Sequence, residues 1–291
     1  MSISTPADAE AVVARALAGV GELATLPEVT VKIIELVEDP KSSARDLQRV
    51  MKSDAALSAR ILKVVNSAFY GLPGQISTVD RAIVLLGMSA VKNIAIAASM
   101  GRLFRRSKLA SKFSAKDLWK HSLAVASASR MIVKALGQAG LEEAFVAGLI
   151  HDVGLLVEHQ AFGTRLADVI RRSEEVGDFC AAEQELIGAD HQAFGLGLTT
   201  KWKFPRHLRS VTGYHHRPSL LSPENRPLPM VVHIADRLSC QAGLGFDLTA
   251  RGTELPAEEL EGFGLTREQL EEVNQALPDE LALTESILSI A

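Results

Sequence analysis

EEAFVAGLIHDVGLLVEHQAF, residues 142–162, decides how this chain is read. It is an apolar, helix-length block with a histidine and an aspartate side by side at its middle, His151 and Asp152. Blocks of the same kind surround it. DLWKHSLAVASASRMIVKALG (117–137) comes before, and TRLADVIRRSEEVGDF (164–179), AAEQELIGADHQAFGLGLTTKW (181–202), PRHLRSVTGYHH (205–216) and PMVVHIADRLSCQ (229–241) come after. An acidic helix is expected at TREQLEEVNQAL (266–277), with a short final one beyond it. Ala, Leu and Val are abundant and aromatics make up only 5% of the chain. That mixture favours helices, because Ala and Leu lose little entropy there and strands draw on β-branched and aromatic residues.

The N-terminal stretch is also helical, with clearer punctuation. Val29, Ile33, Leu36 and Val37 recur at helical spacing until Asp39-Pro40, where proline disfavours continuation. Ser43 and Asp46 resemble a capping box, and Ser53 or Asp54 can cap a helix whose apolar face is Leu57, Ile61, Val64, Val65 and Ala68. That helix ends at Gly71, with Pro73 and Gly74 beyond. Ser77 and Asp80 repeat the capping pattern, Gly87 interrupts, and Ser89 can start a very apolar helix through Met100. The basic, poorly periodic segment GRLFRRSKLASK (101–112) reads as a connection between two subregions. All-α is the expected class, with no fixed-period repeat and no low-complexity tract.

Composition bounds the function. The 291 residues suffice for one large domain or two moderate ones, and 47% hydrophobic with 23% charged residues is a globular mixture. A net charge of −4 and a pI near 6.1 argue against nucleic acid as the default partner. Arg102, Arg105, Arg106 and Lys108 read as a solvated face or helix-end charges before they read as a nucleic-acid contact. Cys180 and Cys240 make no disulfide framework, which suits a reduced, cytoplasmic setting. The N-terminus lacks a signal-peptide pattern, and the richest apolar run, near Ile94–Met100, is too short to span a bilayer. No membrane association is expected.

Five of the eight histidines fall into a series: His121, His151 beside Asp152, His191, and the pair His215-His216, followed by Asp236. Iron, manganese or zinc take imidazole and carboxylate ligands, and helices can point such groups inward. Asp117, four residues before His121, shares its helical face and could join the set. Each member has a plainer reading. A lone histidine in an apolar helix is more often a hydrogen-bonded core residue, His215-His216 could end a helix where protonated histidines suit the dipole, and Asp236 could pair with Arg237. The order of the whole set is more informative than any member. His159, His207 and His233 fall outside it and read as structural or surface residues. Asn66, Phe69 and Tyr70 read as packing and helix-end capping before ligand contact, and Trp119 and Trp202 as core.

LIHDVGLL, His121, DHQAFG, YHHRP and HIADRL together resemble the HD superfamily of metal-dependent phosphohydrolases. LPEVTVKIIELVEDP, DLQRVMKSDAALSARILKVVNSAFYG and ISTVDRAIVLLGMSAVKNIAI narrow the resemblance to the HDOD domain, an HD-related output domain of bacterial signalling proteins, over roughly residues 20–240. The resemblance implies an N-terminal helical bundle (20–110) packed on an HD-like helical part (111–245), with extensions at 1–19 and 246–291. It implies a divalent-metal site of iron, manganese, zinc or nickel at His121, His151, Asp152, His191, His215, His216 and Asp236, with Asp117 at the position of an extra carboxylate. His151 and Asp152 would be central, His121 and Asp236 would complete a first metal, and His191, His215 and His216 would serve a second. The expected role is regulatory, through a separate receiver or sensor protein or a nucleotide ligand; the alternative is a cyclic-nucleotide or nucleotide phosphodiesterase. Two departures stand against hydrolysis of a cyclic dinucleotide. Leu155 occupies the place of the HD-GYP lysine, and Arg217-Pro218-Ser219 replace the GYP segment. A leucine cannot neutralise or donate to a phosphate.

Overall fold

The computed structural model describes residues 6–21, 26–67, 70, 72, 74–106, 114–250, 260 and 262–288. Among these the secondary structure is helical throughout, without a strand.

The N-terminal helices are α1 (Pro6–Gly19), α2 (Glu28–Glu38), α3 (Ala44–Lys52), α4 (Ala55–Val65) and α5 (Val79–Arg106). Local chemistry sets their ends. The Ser43 backbone N–H and hydroxyl both donate to the Asp46 carboxylate, at 3.0 and 2.6 Å. Asp54, rather than Ser53, caps α4 by accepting from the Leu57 N–H at 2.8 Å. At the start of α5 the cap is Thr78, not Ser77, and Asp80 instead accepts from Lys52 at 2.8 Å. Asn66 donates to the Leu62 and Ile76 carbonyls and accepts from the Ile76 N–H, pinning the loop after α4. Phe69 lies outside the described residues. Gly87 breaks α5 with φ 84° and ψ 167°, a conformation open to glycine and costly for residues with a Cβ. The break lets the two segments of α5 follow different directions.

Helices α2–α5 enclose a core of Ile33, Leu47, Met51, Leu57, Ile61, Val65 and Val91. The neighbouring residue Ile34, together with Ile96 and Met100 of α5, belongs to the larger core beyond. Val79–Gly101 is long and apolar enough to cross a membrane by length and composition, which the count of consecutive apolar residues did not reveal. Its most apolar window is 61% buried between helices, so core packing accounts for the apolarity.

The larger core belongs to α6 (Ala115–Ala135), α7 (Leu141–Ile150), α8 (Val153–Val176), α9 (Phe179–Leu186), α10 (His191–Lys201), α11 (Arg206–Tyr214), α12 (Pro227–Gln241) and α13 (Arg267–Leu288). Two 3₁₀ turns, Pro218–Leu220 and Pro223–Asn225, join α11 to α12. Helix α6 is the hub, packed by α7, α12 and α13 and buried almost continuously from His121 to Ser129. Helix α8 packs on α9 and α10, and α1 lies against α10. Trp202 is 2% exposed and packs at a tilt against Phe204, a core residue as expected. Residues 107–113, which include Lys108 and half of the basic connection, lie outside the described residues, as do the side chains of Arg102, Arg105 and Arg106.

Gly154 brings the two halves of the histidine series together. A Cβ at this position would lie 1.9 Å from the His191 carbonyl oxygen, so only glycine lets the start of α8 touch the start of α10. That contact sets His191 against Asp152.

Candidate metal centre

The ligand-type residues come from helix ends and helix middles. His151 closes α7 and Asp152 opens α8; His191 is the first residue of α10; His215 closes α11 with His216 next; His121 and Asp236 lie within α6 and α12. Asp152 occupies an N-cap position, yet its carboxylate makes no capping hydrogen bond. It turns inward to the histidines. His121, His151, Asp152, His191, His215 and Asp236 are fully buried, and the His216 side chain is 12% exposed.

Four rings have one nitrogen committed to an outward acceptor. His151 Nδ1 donates to the Gly148 carbonyl at 2.7 Å, His215 Nδ1 to Val211 at 3.1 Å, and His121 Nδ1 to Leu244 at 3.4 Å. His191 Nδ1 donates to Glu183 at 2.8 Å. With Nδ1 carrying the proton, each Nε2 presents a lone pair to the interior. Those lone pairs converge on carboxylate oxygens, which are also acceptors.

The convergence forms two groups that share Asp152. Its Oδ1 lies 3.4 Å from His191 Nε2 and 3.3 Å from His215 Nε2. His191 Nε2 is 3.3 Å from His215 Nε2 and 3.1 Å from His216 Nε2. Asp152 Oδ2 lies 3.2 Å from His151 Nε2 and 3.8 Å from His121 Nε2, while Asp236 Oδ1 is 3.1 Å from His121 Nε2. Asp236 Oδ2 reaches to 3.6 Å from His216 Nδ1 and so spans toward the other group.

Acceptors facing acceptors in a dry interior repel one another unless a cation lies between them. Ligands about 2.1 Å from a shared metal stand roughly 3.0–3.4 Å apart in octahedral or tetrahedral geometry, which matches these spacings. His151 Nε2, both Asp152 oxygens and Asp236 Oδ2 are buried without a hydrogen-bond partner. The donor set therefore fits divalent metal, and Asp152 has one oxygen beside each of the two groups.

Electrostatics agree. Burial alone would raise the Asp152 and Asp236 carboxyls, but the surrounding histidines outweigh it and hold both below the ordinary range. Burial drives the His215 imidazole down to about 4 and, with the neighbouring His215, pushes His216 well below its ordinary value. Both rings are neutral at physiological pH, the form that ligates metal.

Asp117 stays apart from this set. It lies in the exposed first turn of α6, where its backbone N–H caps on Ser114 and its carbonyl accepts from the Phe246 N–H at 3.1 Å. Among the histidines outside the series, His233 is buried and donates to the His215 carbonyl at 2.6 Å, while the partly exposed His207 pairs with Glu143.

Three features escaped the sequence reading. Glu183 grips His191, and Gln192 accepts from the His216 N–H at 3.1 Å. The third is a cavity of about 490 Å³ that reaches the centre at its His216 edge and is also lined by Arg217 and Arg237. Glu183 sits eight residues before His191, and nothing in the pattern separates it from the exposed Glu185 on the same helix.

The HDOD domain family model matches residues 23–218. An HDOD domain protein of unknown function from Geobacter sulfurreducens has a TM-score of 0.80 at 22% identity, covering 97% of this chain and 99% of that one. A candidate signal transduction protein from Marinobacter aquaeolei VT8 gives 0.75 at 23% identity, covering 99% and 68%. A candidate phosphohydrolase from Shewanella amazonensis SB2B gives 0.65 at 24% identity, covering 95% and 94%. At these identities the likeness is one of fold. An uncharacterized protein of Treponema pallidum (strain Nichols) is 22% identical over 219 residues, 75% of this chain; the chain spans 42% of that relative's length.

Proposed function

The chain belongs to the HDOD domain family, and on that premise we propose that it is a regulatory signal-transduction module built around a divalent-metal centre. The observation that carries the metal is the convergence of Nε2 lone pairs and carboxylate oxygens whose outward nitrogens are already hydrogen-bonded. His121, His151 and Asp236 would hold one ion, His191, His215 and His216 a second, and Asp152 both. The groups suit iron, manganese, zinc or nickel alike. Support for a signalling role comes from the family and from the Marinobacter structure described as a candidate signal transduction protein. The partner would be a separate receiver or sensor protein, in the cytoplasm.

A second reading, a metal-dependent phosphohydrolase, is favoured by the Asp152 carboxylate, with one oxygen in each ligand group. A bound metal pair would supply Lewis acidity and a low-pKa water. The chain's own residues keep the interior dry and fix the ligand nitrogens.

Elemental mass spectrometry of the full chain, purified without a histidine tag, tests the metal. Near-stoichiometric metal that is lost in His151→Ala supports the centre; absence of metal after reconstitution overturns it. Phosphodiester turnover abolished by the same substitution would move the assignment to the hydrolase.

A further inference from the structure

Four carboxyl side chains are fully buried among the described residues: Asp152 and Asp236 in the ligand groups, Glu183 on His191, and Glu158 on α8. The first three face donors or ligand nitrogens. Glu158 does not: neither of its oxygens receives a hydrogen bond from an N–H or O–H of a described residue. An ionised carboxylate left in that state in a dry interior is far costlier than a neutral carboxylic acid.

The polar neighbour of Glu158 is the Glu183 carboxyl, within hydrogen-bonding reach across the packed pair α8 and α9. Two touching carboxyls out of water do not both ionise, so the pair keeps a proton. The donors decide which residue carries it. Glu183 accepts from the His191 ring Nδ1 at 2.8 and 2.9 Å and from the His191 backbone N–H at 3.1 Å. These N–H groups stabilise an ionised Glu183, and no such donor stabilises an ionised Glu158. Asp190 adds a nearby negative charge that disfavours ionising Glu158 further. The proton therefore sits on Glu158, and its O–H donates to Glu183. A hydrogen bond from a carboxylic acid to a carboxylate is of the short, strong kind.

We propose that Glu158 is a positioning residue of the metal centre, a neutral acid that braces the Glu183 carboxylate against the His191 ring. The consequence for metal rests on the metal-centre reading. Glu158 acts through Glu183 and His191, and helix α8 thereby serves the centre twice, with Asp152 at its N-cap and Glu158 in its second turn.

Infrared difference spectroscopy of the full chain at neutral pH, wild type minus Glu158→Gln, tests where the proton is. The C=O stretch of a carboxylic acid, which an ionised carboxylate lacks, should appear in the difference; its absence overturns the proposal whatever the metal content. Competition with a chromophoric chelator, with zinc as the probe, tests the brace. Glu158→Leu should weaken zinc at the His191 group by about tenfold or more. Glu158→Gln, whose amide N–H can replace the O–H, should stay near wild type. In a Glu183→Ala background Glu158→Leu should cost little further, because the brace acts through Glu183. Equal losses in both backgrounds would mark a general packing defect and overturn the proposal, as would wild-type affinity in Glu158→Leu. If the wild-type chain binds no zinc, the metal-centre reading fails on its own evidence. Nitrogen NMR of the His191 ring then reads the brace directly: loss of the Nδ1–H tautomer in Glu158→Leu supports it, and retention overturns it.

Discussion

Glu183 holds His191 at two points, accepting from the ring Nδ1 at 2.8 Å and from the backbone N–H of the same residue at 3.1 Å. The grip fixes both the tautomer of the ring and the start of α10. Behind it lies Glu158, a second fully buried carboxyl, and burial raises both groups well above the ordinary carboxylate value. Partners that orient metal-ligating histidines in this way typically affect metal affinity 10–100-fold. Glu183→Ala is expected to lower affinity by that factor at the His191 group, measured by competition with a chromophoric chelator, while Glu183→Gln retains part of it.

Gly154→Ala is expected to be severe. The new methyl would overlap the His191 carbonyl, and that contact is backbone, so it has little room to yield. Overpacking costs of about 1–3 kcal/mol are usual, and this site should reach at least the upper end. Thermal unfolding should show a large drop in Tm. Metal content should fall with it, because the same contact sets His191 against Asp152. A variant with normal Tm and normal metal would contradict the role given to Gly154.

Asp117→Asn should leave metal content and Tm near wild type. The side chain is exposed on the first turn of α6, and only its backbone joins the Gly245–Phe246 segment. A marked loss of metal in this variant would bring Asp117 into the ligand set after all.

The metal-stripped chain should lose stability as pH falls from about 6.5 toward 4. His215 titrates near 4 when folded and near 6.5 when unfolded, so in that window the unfolded chain binds the additional proton. Stability is therefore full above the window and falls below it, by about 3 kcal/mol for His215 alone. His216 acts in the same direction. His151 acts oppositely: Asp152 and Asp236 overcome burial and raise it, so its contribution is present below pH 6.5 and declines as pH rises. Chemical denaturation of the stripped protein at pH 7.5, 6 and 4.5 reads the sum. Glu158 and Glu183, which burial raises, also act against the trend. The His215 contribution is therefore read as the difference between wild type and His215→Gln; equal losses toward acid in the two would contradict the neutral burial of His215.

What the sequence made legible was local or chemically distinctive. The Ser43–Asp46 cap, a cap from one of Ser53 and Asp54, and the break at Gly87 follow from short-range rules, and the structure has each, with Asp54 the capping residue. The histidine–aspartate series was legible because few other purposes gather imidazoles and carboxylates in apolar helices. Asp117 shows the limit of helical spacing: four residues put it on the face of His121, but its side chain is exposed in the first turn of α6 while its neighbour Leu118 takes the buried place. Glu183 and Gln192 were missed because polar residues on amphipathic helices usually face water. Only tertiary packing turned these two toward the centre.

Ile33 and Ile34 are consecutive on α2, both fully buried, and they belong to different cores. Nearby, Thr30 of α2 is hydrogen-bonded to Ser99 of α5 at 2.8 Å, also out of water. Consecutive helical side chains point about 100° apart. The helix cannot roll to improve its fit on one side without withdrawing a side chain from the other. Helix α2 is thus a wall common to both cores, and a substitution that shifts it disturbs the packing of each.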